Sequence, residues 1–450
     1  MRTLILAAAV IAACPFAAFA QTPAAPAAPS PAVRAMAAGY RALTVCSALK
    51  TAEAAGGTRT LESIEANELT GIYPELDPLV REMPVEVFPA RVAVAWDAAM
   101  PPRSAVWRDG HGCSIMPVGW RGEQIAILPP RRPSDHAFAG GEPVGNAALL
   151  NEAVEQAFEG GYGEGSNTTA VLVLQNDRVV AEEYALGFGP DTPQRTWSVA
   201  KSLAGTVIGA AVQRGQADVN APAAIGDWSR EGDPRAAITL DQLMRMASGL
   251  TSDTAGNRTD ALYFGGVGVD EQVTTWPLIT TPGTRFRYAN NDILLSILAI
   301  APTFEAHPPA ELFRRLGMND TWAETDWRGN YMLSSQVWST ARDLARFGRL
   351  YLNDGMLDGQ RILPEGWREY VSRPSGPQPP TGEQGYGATF WLFNRSEGIP
   401  ADAISANGNR GQYVIIVPSR NIVIVRRGED PAGKPFNFIP FTRDVLAALD

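Results

Sequence analysis

Two serines in this chain stand three residues before a lysine: Ser47 before Lys50, and Ser198 before Lys201. A serine hydroxyl is a weak nucleophile at neutral pH and needs a base beside it. Lysine serves as that base only when it is neutral, and burial among apolar groups disfavours its charged form. Arginine stays protonated and cannot take the role. Residues i and i+3 share one face of a helix, so a serine and a lysine at this spacing meet within a single turn. The chain has only three lysines, Lys50, Lys201 and Lys434, so a lysine inside an apolar run is not a casual surface charge.

The surroundings separate the two pairs. Lys201 is followed by Leu203, Ala204, Val207, Ile208, Ala210, Ala211 and Val212. The spacing predicts a helix from about Ser198 to Arg214, stopped by Gly215, with almost no polar face and therefore buried. Ser198 falls at its start, where the helix dipole favours developing negative charge. Lys50 is followed by "TAEAAGGTRT", which is polar and rich in glycine, and is expected to be solvated and charged. The chemistry is therefore assigned to Ser198 and Lys201, and the spacing at Ser47 and Lys50 to coincidence.

Downstream residues fit the same chemistry. In "PGTRFRYANNDILL", Tyr288 and Asn290 stand at the start of a helical pattern. A tyrosine hydroxyl can relay a proton between serine, lysine and leaving group; an asparagine can hold the lysine or a substrate carbonyl. Near the C-terminus, Gly408 and Gly411 open a strand and let a substrate lie against backbone. A backbone N–H there, with that of Ser198, would make an oxyanion hole. Taken singly, the tyrosine also suits core packing and the glycines a plain turn. His111, His136 and His307 are scattered without metal-ligand spacing, which argues against zinc and against a Ser-His-Asp triad. No Gly-x-Ser-x-Gly elbow occurs. No metal and no cofactor is expected.

The elements that must position these residues follow from periodicity. Helices are expected over 146–161, 240–250, 291–302, 339–355 and at the C-terminus; "TAVLVLQNDRVVAEEYALG" (169–187) reads as a hairpin around Asn-Asp; 411–428 reads as two strands. Strands at both ends of this half can pair into one antiparallel sheet with helices inserted between them. The expected class is thus mixed α/β (α+β), a sheet flanked by helices, with an inserted helical subdomain and an N-terminal extension. The composition, 45% hydrophobic and 19% charged, suits a globular chain with a substantial core. A net charge of −10 argues against a general nucleic-acid binder.

The first 20 residues pair one arginine with an apolar stretch and end in Ala18-Phe19-Ala20, the pattern of a secretory signal. A lipid-attachment site at Cys14 is the alternative. Residues 21–33 read as a Pro/Ala linker, 34–140 as the extension and 141–450 as the main domain. Within the extension, "ARVAVAWD" and "EQIAILPP" read as strands and "GGTRTLESIEANELTG" as irregular or helical. No further segment approaches a membrane span, so the mature protein is expected to be periplasmic or secreted. Removal of the signal leaves Cys46 and Cys113, an even count expected to form a disulfide in an oxidising compartment.

Eight segments carry a resemblance: "SVAKSLAGTVIGAAVQRG", "LMRMASGL", "PGTRFRYAN", "RRLGMNDTWAETD", "STARDLARFGRLYLNDG", "RILPEGW", "GYGATFWL" and "GNRGQYVIIVP". In this order, from about residue 146 to the C-terminus, they resemble the serine hydrolases of the class C β-lactamase and penicillin-recognising fold. The likeness is greatest to the branch of 6-aminohexanoate-dimer hydrolases and carboxylesterases. The resemblance implies Ser198 as the acylated nucleophile, Lys201 as its base and Tyr288 as proton relay. It implies Asn290 as the third position of Tyr-x-Asn, and Asn409 as the residue whose N–H completes the oxyanion hole. One departure stands out. Where β-lactamases of this fold carry Lys-Thr-Gly, this chain reads Ala406-Asn407-Gly408. That weighs against strong β-lactamase or transpeptidase activity, and leaves Arg410 as a candidate charge for a substrate carboxylate. The reading is an exported hydrolase of small-molecule amides or esters. A cell-wall D-amino-acid peptidase or weak class C β-lactamase, and a non-catalytic binding protein on the same fold, are the alternatives.

Overall fold

The computed structural model describes residues 28–122, 138–251 and 259–450. The expected signal, most of the linker, the "EQIAILPP" strand and His136 lie outside the described residues. The extension opens with a 25-residue helix, α1 (Pro31–Ala55). It starts inside the expected linker because Ser30 caps it, accepting the N–H of Val33, and Pro31 occupies the first turn. No amphipathic pattern announces this helix. From Ala37 to Ala48 every residue is buried, so there is no polar stripe to read. Two short helices follow, α2 (Leu61–Ala66) and α3 (Asp77–Val80). Next comes a four-stranded antiparallel sheet in chain order: β1 (Val85–Phe88), β2 (Arg91–Val94), β3 (Arg103–Arg108) and β4 (Gly112–Ile115). A disulfide joins Cys46 on α1 to Cys113 on β4.

The second half begins with α4 (Ala147–Glu159) and the hairpin β5 (Thr168–Gln175) and β6 (Arg178–Tyr184). Asn176 and Asp177 both take left-handed backbone, with φ of 54° and 62°, as the two-residue turn of a twisted hairpin requires. After β7 (Gln194–Arg195) comes the apolar helix α5 (Val199–Gln213). The helical insert holds α6 (Leu240–Met244), α7 (Asp260–Tyr263), α8 (Val269–Gln272), α9 (Asn290–Ala299) and α10 (Pro309–Arg315). Helix α6 is shorter than the sequence pattern because Met246 and Gly249 both adopt positive φ. The chain continues through β8 (Thr321–Ala323), β9 (Val337–Ser339), α11 (Ala341–Leu352), β10 (Met356–Leu357), β11 (Gln360–Arg361) and α12 (Trp367–Ser372). It closes with β12 (Gly385–Tyr386), β13 (Trp391–Leu392), β14 (Ile404–Gly408), β15 (Gln412–Val417), β16 (Ile422–Gly428) and α13 (Phe438–Ala448).

The main sheet has seven antiparallel strands in the order β12-β13-β14-β15-β16-β5-β6, so the C-terminal hairpin pairs with the N-terminal one. Its faces alternate as period-2 strands must. Leu172, Leu174, Val423 and Val425 pack with α5 and α11; Val171, Val173, Ile422 and Ile424 pack with α4 and α13. A third core belongs to neither half alone. It joins Tyr40, Val92 and Trp107 of the extension to Leu243, Leu262, Leu294 and Trp338. Buried Arg103 ties the same seam, donating to the carbonyls of Ala35, Phe264 and Gly265.

Candidate active site

Ser198 caps α5 but makes no side-chain cap hydrogen bond. A serine in this position ordinarily spends its oxygen on the N–H groups of the first turn; here the oxygen is left for Lys201. The Ser198 Oγ to Lys201 Nζ distance is 2.9 Å. Lys201 Nζ also donates to Asn290 Oδ1 at 2.5 Å and to the Ser334 carbonyl at 2.8 Å. A neutral amine has two N–H groups and one lone pair. With the two N–H groups given to these carbonyl oxygens, the lone pair faces the Ser198 hydroxyl.

The electrostatics favour that neutral form. Lys201 is 1% exposed. Burial pushes its ammonium down to about 7, and the positive charge of Arg195 adds to the shift. Arg195 is itself held in place. It donates to the carbonyl and hydroxyl of Ser335 and lies 3.7 Å over the Trp197 ring. Trp197 takes φ of 50°, a strained left-handed conformation for a bulky residue, immediately before the serine. Tyr288 meets the pair from the insert. Burial raises its hydroxyl to about 12 against the opposing pull of nearby Ser198 and Trp391, so it stays protonated. The Tyr288 ring lies 5.1 Å below Lys201 Nζ and packs against Trp391 at 5.3 Å.

The far side of the serine is backbone. A Cβ at Gly408, the last residue of β14, would lie 2.4 Å from the Thr196 carbonyl oxygen and 3.2 Å from Ser198 N. A larger residue cannot occupy this position without displacing the strand from the serine. Asn409 follows at the start of the turn into β15. A cavity of about 330 Å³ opens here, lined among others by Trp197, Gly408, Asn409, Arg410 and Gly411. Gly411 has φ of 78°, and a Cβ there would strike the Arg426 guanidinium, so its role is to close the turn over Arg426.

The structure therefore brings together Ser198, Lys201, Tyr288, Asn290 and Gly408. Arg410 is placed differently from the expectation that it meets a substrate carboxylate. Its side chain is 4% exposed and pairs with Glu429 at 2.9 Å. It also donates to the carbonyls of Asn67, Thr70 and Gly71 in the extension. Lys50, expected to be solvated, is 7% exposed. It lies on α1 and pairs with Glu53 at 3.2 Å, while Ser47 donates to Glu324 at 2.5 Å. Four neighbours of the candidate residues were missed from the sequence: the Ser334 carbonyl, Arg195, Thr259, which accepts from Asn290 Nδ2 at 3.3 Å, and Tyr263, whose hydroxyl is 2.5 Å from Ser334 Oγ. Only Arg195, three residues before the serine, left a signal that could have been found.

A family model described as Beta-lactamase matches residues 152–427, more than half of the chain. The chain is 28% identical over 298 residues to the 6-aminohexanoate-dimer hydrolase of Paenarthrobacter ureafaciens, covering 59% of this chain and 73% of that protein. Among solved structures it is similar to a candidate 6-aminohexanoate-dimer hydrolase from Bacillus anthracis. That match has a TM-score of 0.55 at 22% identity, over 69% of this chain and 86% of the other. It is also similar to the octameric penicillin-binding protein homologue of Pyrococcus abyssi, with a TM-score of 0.52 at 17% identity, over 66% and 76% of the two chains.

Proposed function

The chain belongs to the beta-lactamase family, and on that premise we propose that it is an exported serine hydrolase that opens amide or ester bonds of small molecules through an acyl-enzyme on Ser198. The observation that carries this reading is the three-way hold on Lys201, which directs its lone pair at Ser198 Oγ. Ser198 gives its proton to Lys201 Nζ as Oγ bonds to the substrate carbonyl carbon. The charge on the carbonyl oxygen is met by the N–H groups of Ser198 and Asn409. Tyr288 passes the proton to the departing nitrogen or oxygen as that bond breaks. Water then attacks the acyl carbon, giving a proton to Lys201, which returns it to Ser198 Oγ as the ester bond breaks and the acid product leaves.

The 28% identity to the 6-aminohexanoate-dimer hydrolase favours a linear amide or ester as substrate. A β-lactam carboxylate is less well served. The strand beside the serine reads Ala406-Asn407-Gly408, and Arg410, the cation after it, is engaged by Glu429. The Cys46–Cys113 disulfide supports export to an oxidising compartment, and no helix among the described residues is long and apolar enough to cross a membrane. The test is covalent labelling of the purified chain with a fluorophosphonate, followed by peptide mass mapping. A single adduct on Ser198 is expected. An adduct on Ser47, or none, overturns the assignment.

A further inference from the structure

Ser198 does not itself line the cavity, but Trp197, its chain neighbour, and Gly408, where a Cβ would lie 3.2 Å from Ser198 N, do, and the cavity is shared between the two halves of the molecule. Trp197, Gly408 and Asn409 line one side, and Ile72, Tyr73 and Pro74 of the extension line the other. The extension side is built, not draped. Arg410 holds the carbonyls of Asn67 at 2.7 Å, Thr70 at 3.0 Å and Gly71 at 3.0 Å. Ala432 N donates to the Gly71 carbonyl at 2.8 Å, and Asn167 Nδ2 to Asn67 Oδ1 at 3.0 Å. The Tyr73 ring is set against Tyr40 and Phe264, with centroids 6.0 and 5.9 Å away.

The lining has a definite chemistry. Its charged side chains are already matched, Arg410 by Glu429 at 2.9 Å and Asp430 by Arg426 at 2.8 Å. A carboxylate or ammonium entering here would lose water and find both charges already paired, which is costly. An apolar group would gain by burial against Ile72, Tyr73 and Trp197. A cavity of about 330 Å³ is at the small end of ligand sites and takes one ring or a short alkyl chain.

We infer that this cavity is a subsite for an uncharged, apolar group of the substrate next to the scissile carbonyl, and that Tyr73 of the extension determines specificity there. The inference rests on Ser198 being the nucleophile, but its test does not need turnover. Three probes of similar shape, phenylacetamide, phenylacetate and 2-phenylethylamine, are titrated by calorimetry into the Ser198→Ala chain. Phenylacetamide is expected to bind at least tenfold more tightly than either ion. Tyr73→Ala in the same background should weaken it about tenfold, and Tyr73→Phe, which keeps the ring, should not. Absence of phenylacetamide binding, equal binding of an ion, or indifference to Tyr73→Ala overturns the inference. Should Tyr73→Ala not fold, Pro74→Glu places a carboxylate at the exposed rim. It should weaken phenylacetamide and admit the ammonium probe, and no change in either also overturns the inference. Failure of the hydrolase reading would show separately, in the fluorophosphonate map.

Discussion

On α1, Lys50 Nζ meets the carboxylate of Glu53 and Ser47 turns its hydroxyl to Glu324; on α5, Lys201 Nζ meets two carbonyl oxygens and the hydroxyl of Ser198. Spacing is the same in both pairs, both sit on helices and both lysines are buried. What differs is the charge of the partners. On α1 the partner is a carboxylate, Glu53, 3.2 Å from Lys50 Nζ. Carbonyl oxygens bind N–H groups without adding a negative charge, so burial is free to drive the proton off Lys201. On the proposed mechanism, burial with neutral acceptors, not burial alone, is what fits Lys201 to act as a base.

The largest expected effects come from removing each pair in turn. Ser198→Ala and Lys201→Met should each lower kcat/KM by roughly 10,000-fold on an ester that the wild-type chain turns over. Ser47→Ala and Lys50→Met should stay within about threefold of wild type. A hundredfold loss in Lys50→Met would erase the distinction between the two helices.

The pH profile sharpens the same contrast. On the proposed mechanism turnover needs neutral Lys201, whose ammonium burial pushes down to about 7. We expect kcat/KM to fall about tenfold per pH unit below that point and to level off above it. Tyr288, at about 12, should add no alkaline limb in the ordinary range. Removing the nearby positive charge with Arg195→Met should move the acid limb to higher pH, because a repelling charge is lost. Rate measurements from pH 5 to 10 with both chains decide this; an acid limb that does not move upward would remove Arg195 from the account.

Much of this site was legible from the chain alone, for identifiable reasons. The α5 helix announces itself as a run of apolar residues around one lysine, and the two terminal hairpins by alternation around Asn-Asp and Pro-Ser-Arg-Asn turns. Helix α1 was not legible, because it is enclosed by its own sheet and the insert and so carries no polar stripe. That hidden burial is also why Lys50 read as solvated. The Ser334 carbonyl left no mark, since a backbone oxygen has no residue type. Arg410 read as a free charge because its partners, three carbonyls more than 300 residues earlier, are invisible to local pattern.

Stability separates the lysines in the opposite direction to activity. Lys201 is depressed from 10.5 to about 7 in the folded chain. Below 7 both folded and unfolded chains carry the charge, and the folded one bears the full burial penalty. Between 7 and 10.5 the unfolded chain holds more protons, so stability rises with pH and the penalty is relieved. Lys201→Met should therefore raise Tm by a few degrees at pH 6 and by less at pH 10. Lys50→Met removes an ion pair and should raise it at neither pH. A Lys201→Met chain less stable than wild type at pH 6 would mean that its three hydrogen bonds outweigh the cost of its charge.

The smallest effect concerns the two serines. Ser198 has its hydroxyl free for Lys201, whereas Ser47 donates to Glu324, which also accepts the Cys113 N–H at 3.0 Å beside the disulfide. Burial raises the Glu324 carboxyl from 4.5 to about 8, and the Ser47 hydrogen bond works against that rise by favouring the charged form. The folded chain thus keeps a proton between 4.5 and 8 that the unfolded chain has lost, and stability declines as pH climbs through that window. Ser47→Ala leaves the carboxylate without this donor, at a cost of about 1–3 kcal/mol once it is ionised. Below 8 the carboxyl is protonated and neutral, and the cost shrinks. Urea unfolding of Ser47→Ala should therefore show a larger loss at pH 9 than at pH 5. Equal losses at both would mean that Ser47 only fills space on α1, and Ser198→Ala, with no buried carboxylate to abandon, should show no such pH dependence.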